Sequence, residues 1–217
     1  MLEKILLFIS KNLISFAPAN FSLPMIIFPI EYRPSSDFGG GLFATRALQP
    51  GQLVASFDGE FWEWADSVEQ LPNEFPDYIR DHTIQYAPGK SRDSTAQGLA
   101  RYANHSCEPN CGIVNLFEVV AMRPIAAGEQ ITWDYAMSEN NDWFMLCRCG
   151  TPKCRRIITG YRNLPPETRQ AYAGYVSQWL LDADIPYEGP AQLPAWSDAS
   201  LKIYPEPRQQ MSAHLAS

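Results

Sequence analysis

The chain has 217 residues and is 46% hydrophobic, enough to bury one substantial core, as one domain with appendages. Its net charge of −7, with no basic run longer than Arg155-Arg156, argues against direct nucleic-acid binding and suits a basic, lysine-bearing protein partner. Five cysteines, three of them within eight residues, argue against a disulfide framework and for a metal site in a reducing compartment, so a cytoplasmic location is expected.

Residues 5–30 are apolar, with Lys4 and Lys11 near the start, a faint imitation of a signal peptide or membrane anchor. Asn12, Ser15, Pro18, Asn20, Ser22, Pro24 and Pro29 interrupt the run. No clean span of about 20 apolar residues is left, so no membrane insertion is expected. The folded part is expected to open with a strand over 25–32, leaving 1–24 as a loosely attached extension. Gly39-Gly40-Gly41 is a turn into apolar Leu42-Phe43-Ala44, and a second turn at 48–52 precedes a strand over 53–57 that ends at Asp58-Gly59. Residues 60–80, polar and aromatic with Pro72 and Pro76, predict an irregular insert with a short helix. A strand over 82–87 and a polar loop over 88–98 follow. Residues 112–135 predict a meander, with strands over 116–122 and 130–133 and a turn at 126–129. Many short strands with Gly and Pro turns indicate a β-rich α+β class rather than alternating βαβ units. Pro166 at a first turn and Tyr172, Tyr175, Val176, Trp179 and Leu180 at packing intervals predict a helix within 164–186, over 166–184. Residues 187–217, with Pro190, Pro194, Pro205 and Pro207 and no periodicity, are expected to be a flexible tail.

Cys147, Cys149 and Cys154 form Cys-x-Cys-x4-Cys, which leaves a tetrahedral zinc one ligand short. By spacing, either Cys107 or Cys111 completes the set. Such a site would be structural, with four thiolates and no open position.

Three stretches belong together: Arg101-Tyr102-Ala103-Asn104-His105-Ser106-Cys107-Glu108-Pro109-Asn110, Gly128-Glu129-Gln130-Ile131-Thr132-Trp133-Asp134-Tyr135, and Cys147 to Cys154. Their order and spacing resemble the SET-domain protein lysine methyltransferases that carry a post-SET cysteine cluster, over about residues 25–165. The resemblance implies a SET domain over 25–140, several small sheets around a threaded C-terminal segment, and a post-SET zinc segment over 141–163. It implies S-adenosylmethionine as cofactor and transfer of its methyl to a lysine amine of a protein. Tyr135 matches the tyrosine whose hydroxyl enters the methyl-transfer channel. Asn104 and His105 match the pair that holds S-adenosylmethionine, and Arg101 belongs to the same stretch. Gly39 and Gly41 match a Gly-x-Gly whose backbone approaches the cofactor, with Leu42 directly after. Cys107 matches the fourth zinc ligand, which leaves Cys111 as a buried, inert thiol.

The chain departs from the family in three places. Phe57, with Asp58-Gly59, stands where many relatives have Tyr-x-Gly, so the lysine channel loses a hydroxyl and keeps the ring. Trp133 stands where a Phe or Tyr governs how many methyls fit, and its indole predicts low methylation states. Cys154-Arg155-Arg156 replaces the common Cys-Arg-Gly. The compact layout resembles the small stand-alone SET proteins of bacteria. Two other functions stay open: a SET protein that binds without turnover, which Phe57 permits, and a methyltransferase of a non-protein amine.

Overall fold

The computed structural model describes residues 28–35, 40–63, 82–141 and 145–190, which form twelve short strands in four small sheets. The first sheet has the order β1 (Ile30–Arg33), β2 (Gly41–Ala44), β10 (Gln130–Trp133), β7 (Asn104–His105). β1 and β10 pair antiparallel with β2, and β7 lies parallel to β10. In β10 the buried residues are Ile131 and Trp133 while Gln130 and Thr132 stay half-exposed, the period-2 alternation of a strand with one face on the core. Gly128, at φ +81°, makes the preceding turn possible, and its N–H donates to Ala44 O at 2.7 Å to lock the turn onto β2.

The second sheet is β3 (Leu53–Ser56), β9 (Glu118–Ala121), β8 (Cys111–Val114), and a main-chain bond from Phe57 N to Phe117 O carries it one step further. Its apolar faces meet those of β2 and β10 in one core with Leu42, Val54, Phe57, Ile113 and Ile131. Each fully buried aliphatic side chain there contributes about 1.5–3 kcal/mol. The third sheet is β4 (Phe61–Glu63), β6 (Lys90–Arg92), β5 (Ile84–Ala87), and the fourth pairs β11 (Met145–Leu146) with β12 (Ile157–Ile158).

Several expectations are corrected. The first strand occupies Ile30–Arg33, running one residue past the expected 25–32, of which 25–27 lie outside the described residues. Phe61–Glu63 is a strand and not irregular, while 64–81, with the expected short helix, lie outside the described residues. The loop over 88–98 contains β6, because Pro88-Gly89 closes a hairpin (Gly89 φ +64°) and Ser91 alone points inward, 2% exposed. The meander has an additional strand, β8, opposite β9.

The helix over 166–184 is two short ones, α1 (Pro166–Ala171) and α2 (Gln178–Asp182). Gly174 at φ +85° stops the first, and the main chain then bonds elsewhere: Ile113 N to Tyr175 O at 3.0 Å, Ser177 N to Met137 O at 2.8 Å, Gln178 N to Asn115 O at 2.6 Å. Those partners are distant in sequence, so helical periodicity could not reveal them. Of the expected termini, 1–24 and 191–217 lie outside the described residues. No helix among the described residues is long and apolar enough to cross a membrane.

Candidate active site and thiol cluster

The parallel pairing of β7 with β10 sets Asn104 opposite Thr132 and His105 opposite Trp133. Just past β10, the Asp134 carboxylate accepts from Ala136 N at 3.1 Å and caps a 3-10 turn, Tyr135–Met137, which brings Tyr135 back beside His105. Ring centroids lie 5.2 Å apart for His105 and Tyr135, 5.1 Å for Trp133 and Tyr135, and 6.1 Å for Phe57 and Trp133. Phe57, Trp133 and Tyr135 thus form one aromatic column, with Phe57 and Trp133 only 2% and 3% exposed. Tyr135 Oη donates to Ala103 O at 3.3 Å. Trp133 Nε1 is buried with no hydrogen-bond partner among the described residues.

Of the residues matched to a cofactor, Gly41, Asn104 and His105 meet at this crossing. Gly39 lies outside the described residues. Asn104 Nδ2 donates to Gly40 O at 2.8 Å, and a Cβ on Gly41 would lie 2.5 Å from Gln130 Nε2 and 2.9 Å from Asn104 Nδ2. Glycine at 41 is therefore what lets the turn close on Asn104, a cradle that a side chain would fill. Among the described residues of this turn, the one with a glycine-requiring backbone is Gly40, at φ +134°, packed under the Tyr32 ring. Leu42 is fully buried in the core, and Arg101 reaches away to Asp93 Oδ2 at 2.7 Å and to Ser94 O.

The Sγ atoms of Cys107, Cys147, Cys149 and Cys154 all lie within 4.8 Å of one another, and Cys111 is not among them. Zn–S bonds of about 2.3 Å in a tetrahedron set thiolates roughly 3.8 Å apart. Cys107 and Cys147, at 3.6 Å, have that spacing, and the cluster is compatible with a zinc site. Its sulfurs are served by donors as metal-bound thiolates are: His105 Nε2 and Arg155 N each lie 3.3 Å from Cys107 Sγ, and Thr151 Oγ1 lies 3.3 Å from Cys149 Sγ. Hydrogen bonding from the Cys147 thiol, helped by His105 and Arg155 and opposed by burial, holds the Cys107 thiol down to about 3. The same hydrogen bond, with burial, pushes the Cys147 thiol up. Cys111 is fully buried in the main core, and burial pushes its thiol up to about 12.

Asp134 is the functional residue that sequence reasoning missed. It is 0% exposed and takes a bidentate Arg155, Nη1 to Oδ2 at 2.5 Å and Nη2 to Oδ1 at 2.8 Å. Tyr172 Oη also donates to Asp134 Oδ2 at 3.1 Å, and burial followed by the Asp134 charge pushes that phenol up. One carboxylate therefore ties β10, the thiol segment and the end of α1 together. The available signal was an acid set directly between the end of the alternating strand run, at Trp133, and Tyr135. Arg155 also lines a cavity of about 250 Å3 with Ala136, Thr159, Gly160 and Asn163; Gly41, Asn104 and Tyr135 do not line it.

Residues 39–136 match the family model of the SET domain. A histone-lysine N-methyltransferase, H3 lysine-36 specific, of Aspergillus fumigatus is 28% identical over 155 residues, 67% of this chain and 16% of that protein. Histone-lysine N-methyltransferase Su(var)3-9 of Drosophila melanogaster is 25% identical over 163 residues, 63% and 25% respectively. A histone-lysine N-methyltransferase, H3 lysine-4 specific, of Schizosaccharomyces pombe is 31% identical over 144 residues, 62% and 15%. This chain thus spans a quarter or less of the relatives it is compared with. The β-rich arrangement of small sheets agrees with the SET-domain match over residues 39–136.

Proposed function

We propose that the chain is an S-adenosylmethionine-dependent protein lysine N-methyltransferase. Tyr135 is its catalytic residue, and a structural zinc is held by Cys107, Cys147, Cys149 and Cys154. The observation that carries this reading is the meeting of Tyr135 with Trp133, Phe57, Asn104 and His105 at the crossing of β7 and β10. The cofactor supplies a sulfonium methyl, and Gly41, Asn104 and His105 would hold it. A free lysine ionises near ~10.4, so the site must take the neutral amine. The dry walls formed by Phe57 and Trp133 favour that form, since burial disfavours an ammonium. The Tyr135 hydroxyl donates its hydrogen to Ala103 O, so its oxygen keeps lone-pair capacity that would accept weak C–H···O contacts from a bound methyl donor. Most of the acceleration then comes from orientation. Trp133 narrows the channel and limits the product to low methylation states.

The substrate class is a basic, lysine-bearing protein segment, in keeping with the histone-lysine activity in the relatives' names and with this chain's acidic balance. Five free thiols support a cytoplasmic setting. One observation favours a second reading, binding without turnover: Phe57 removes a channel hydroxyl.

Transfer of labelled methyl to a cell lysate by wild type and by Tyr135→Phe separates these readings. We expect labelled protein from the wild type and roughly 100-fold less from the variant. Equal labelling by both sinks the assignment of Tyr135, and no labelling by either favours the binding reading. Labelled small molecules without labelled protein favour a non-protein amine.

A further inference from the structure

We propose that His105 is a positioning residue that joins the thiol cluster to Tyr135: Nε2–H donates to Cys107 Sγ, and Nδ1 accepts the main-chain N–H of Tyr135. Both contacts are 3.3 Å, and the side chain is 4% exposed, so water does not compete for either nitrogen. The direction of each bond follows from chemistry. A main-chain N–H can only donate, so Nδ1 must accept and the ring hydrogen sits on Nε2. Asp134 Oδ1 lies 3.6 Å from Nδ1 and could in principle have claimed a hydrogen there. Its carboxylate is already saturated. Arg155 Nη2 and Ala136 N serve Oδ1, while Arg155 Nη1 and Tyr172 Oη serve Oδ2, filling about four lone-pair positions. The ion pair with Arg155 thus leaves the imidazole to Tyr135. Strand pairing of His105 with Trp133 fixes the ring between the two partners. A zinc on Cys107 would stiffen the same path, because a thiolate that accepts from Nε2–H holds the imidazole that holds the Tyr135 backbone.

The first test needs no turnover and uses the full chain loaded with Zn2+. Nitrogen-15 NMR of the His105 ring should show a bare, pyridine-type Nδ1 and a protonated, pyrrole-type Nε2. The opposite tautomer overturns the proposal. Two variants then separate the two arms. His105→Gln keeps a donor near the Nε2 position and removes the acceptor, while His105→Asn does the reverse. Competition with a chelator should show zinc affinity reduced about 10–100-fold in His105→Asn and unchanged in His105→Gln. The Tyr135 amide proton should move upfield in His105→Gln and stay in His105→Asn. Equal zinc affinity in all three proteins, or an unmoved Tyr135 amide in His105→Gln, overturns the link. Its activity arm rests on the methyltransferase reading: His105→Gln should lower kcat with zinc content and KM for the protein substrate unchanged. A wild type that binds zinc but transfers no methyl removes that reading alone, because the ring tautomer, the zinc affinities and the amide shift still decide the proposal.

Discussion

Around Asp134 each carboxylate oxygen is met twice, by Arg155 together with Ala136 or Tyr172, and the carboxylate is fully buried. In the position just before it, at the end of β10, Trp133 is nearly as buried, yet its indole N–H has no partner among the described residues. The first region is built like scaffold, where an unmet charge would be ruinous. The second tolerates an unmet donor, which burial makes unfavourable by about 1–3 kcal/mol. On the proposed reading, that contrast separates what holds the site from what would face a substrate, because a group left unmet by the protein is one that a ligand or its water can meet.

The largest effect should come from breaking the scaffold at its metal. A quartet of thiols that closes around zinc contributes the binding free energy to folding, about 4 kcal/mol at a thousandfold excess over Kd. Stripping zinc should lower the melting temperature and abolish methyl transfer. Cys147→Ser should do the same, and Cys111→Ala should leave zinc content intact. An unchanged melting curve in the presence of a strong chelator removes the zinc site. Cys111 offers a pH check on the other side: its thiol stays protonated to about 12 when folded and ionises from about 9 when unfolded. The unfolded chain therefore sheds the proton first, and its burial should erode stability as pH rises from about 9 to 12, an erosion that Cys111→Ala removes.

Next in size is Asp134→Ala. It leaves the half-buried Arg155 guanidinium without its partner and should cost about 3–5 kcal/mol in chemical denaturation. A loss below about 1 kcal/mol would place Asp134 among exposed ion pairs and dissolve the contrast with Trp133.

On the other side of the comparison, Trp133→Phe removes the unmet donor and shrinks the ring. Stability should change by no more than about 1.5 kcal/mol, since a lost contact area is set against a relieved N–H. The product is the sharper readout. Mass spectrometry should show a shift from monomethyl toward di- and trimethyl-lysine, and abundant trimethyl-lysine already in the wild type would refute the narrow-channel reading.

Legibility in the sequence divides along the same line. Motif-bearing pieces were readable because their chemistry is local: β10 alternates, the 126–129 turn carries Gly128, and three cysteines share eight residues. What escaped is held by partners far along the chain. Asp134 meets Arg155 and Tyr172 across 21 and 38 positions, and the segment between α1 and α2 bonds to residues 113, 115 and 137. β6 hid because Lys90-Ser91-Arg92 reads as polar, although Arg92 lies 4.6 Å over both the Phe61 and Phe117 rings and Ser91 is the buried member. In the Gly-x-Gly turn, residue names drew attention to Gly39 and Gly41, while among the described residues of that turn the positive φ is at Gly40.

The smallest effect concerns the departure at Cys154-Arg155-Arg156. Arg155 performs the bidentate contact with Asp134, so the scaffold keeps its arginine. Arg156, standing where the family commonly has glycine, adopts φ +67°, the left-handed region in which a Cβ is strained, and its side chain is exposed. Its carbonyl accepts from Cys147 N at 2.7 Å, so the turn cannot relax without disturbing a cluster thiol. The strain is therefore borne by the scaffold and not by the aromatic column. Arg156→Gly should relieve it, raising stability by about 1 kcal/mol at unchanged product state and tightening zinc slightly, both read by thermal melts with and without chelator. A destabilised Arg156→Gly would mean that the arginine side chain contributes more than its backbone loses, and that the tail of the thiol segment is held by contacts beyond Asp134 and the metal.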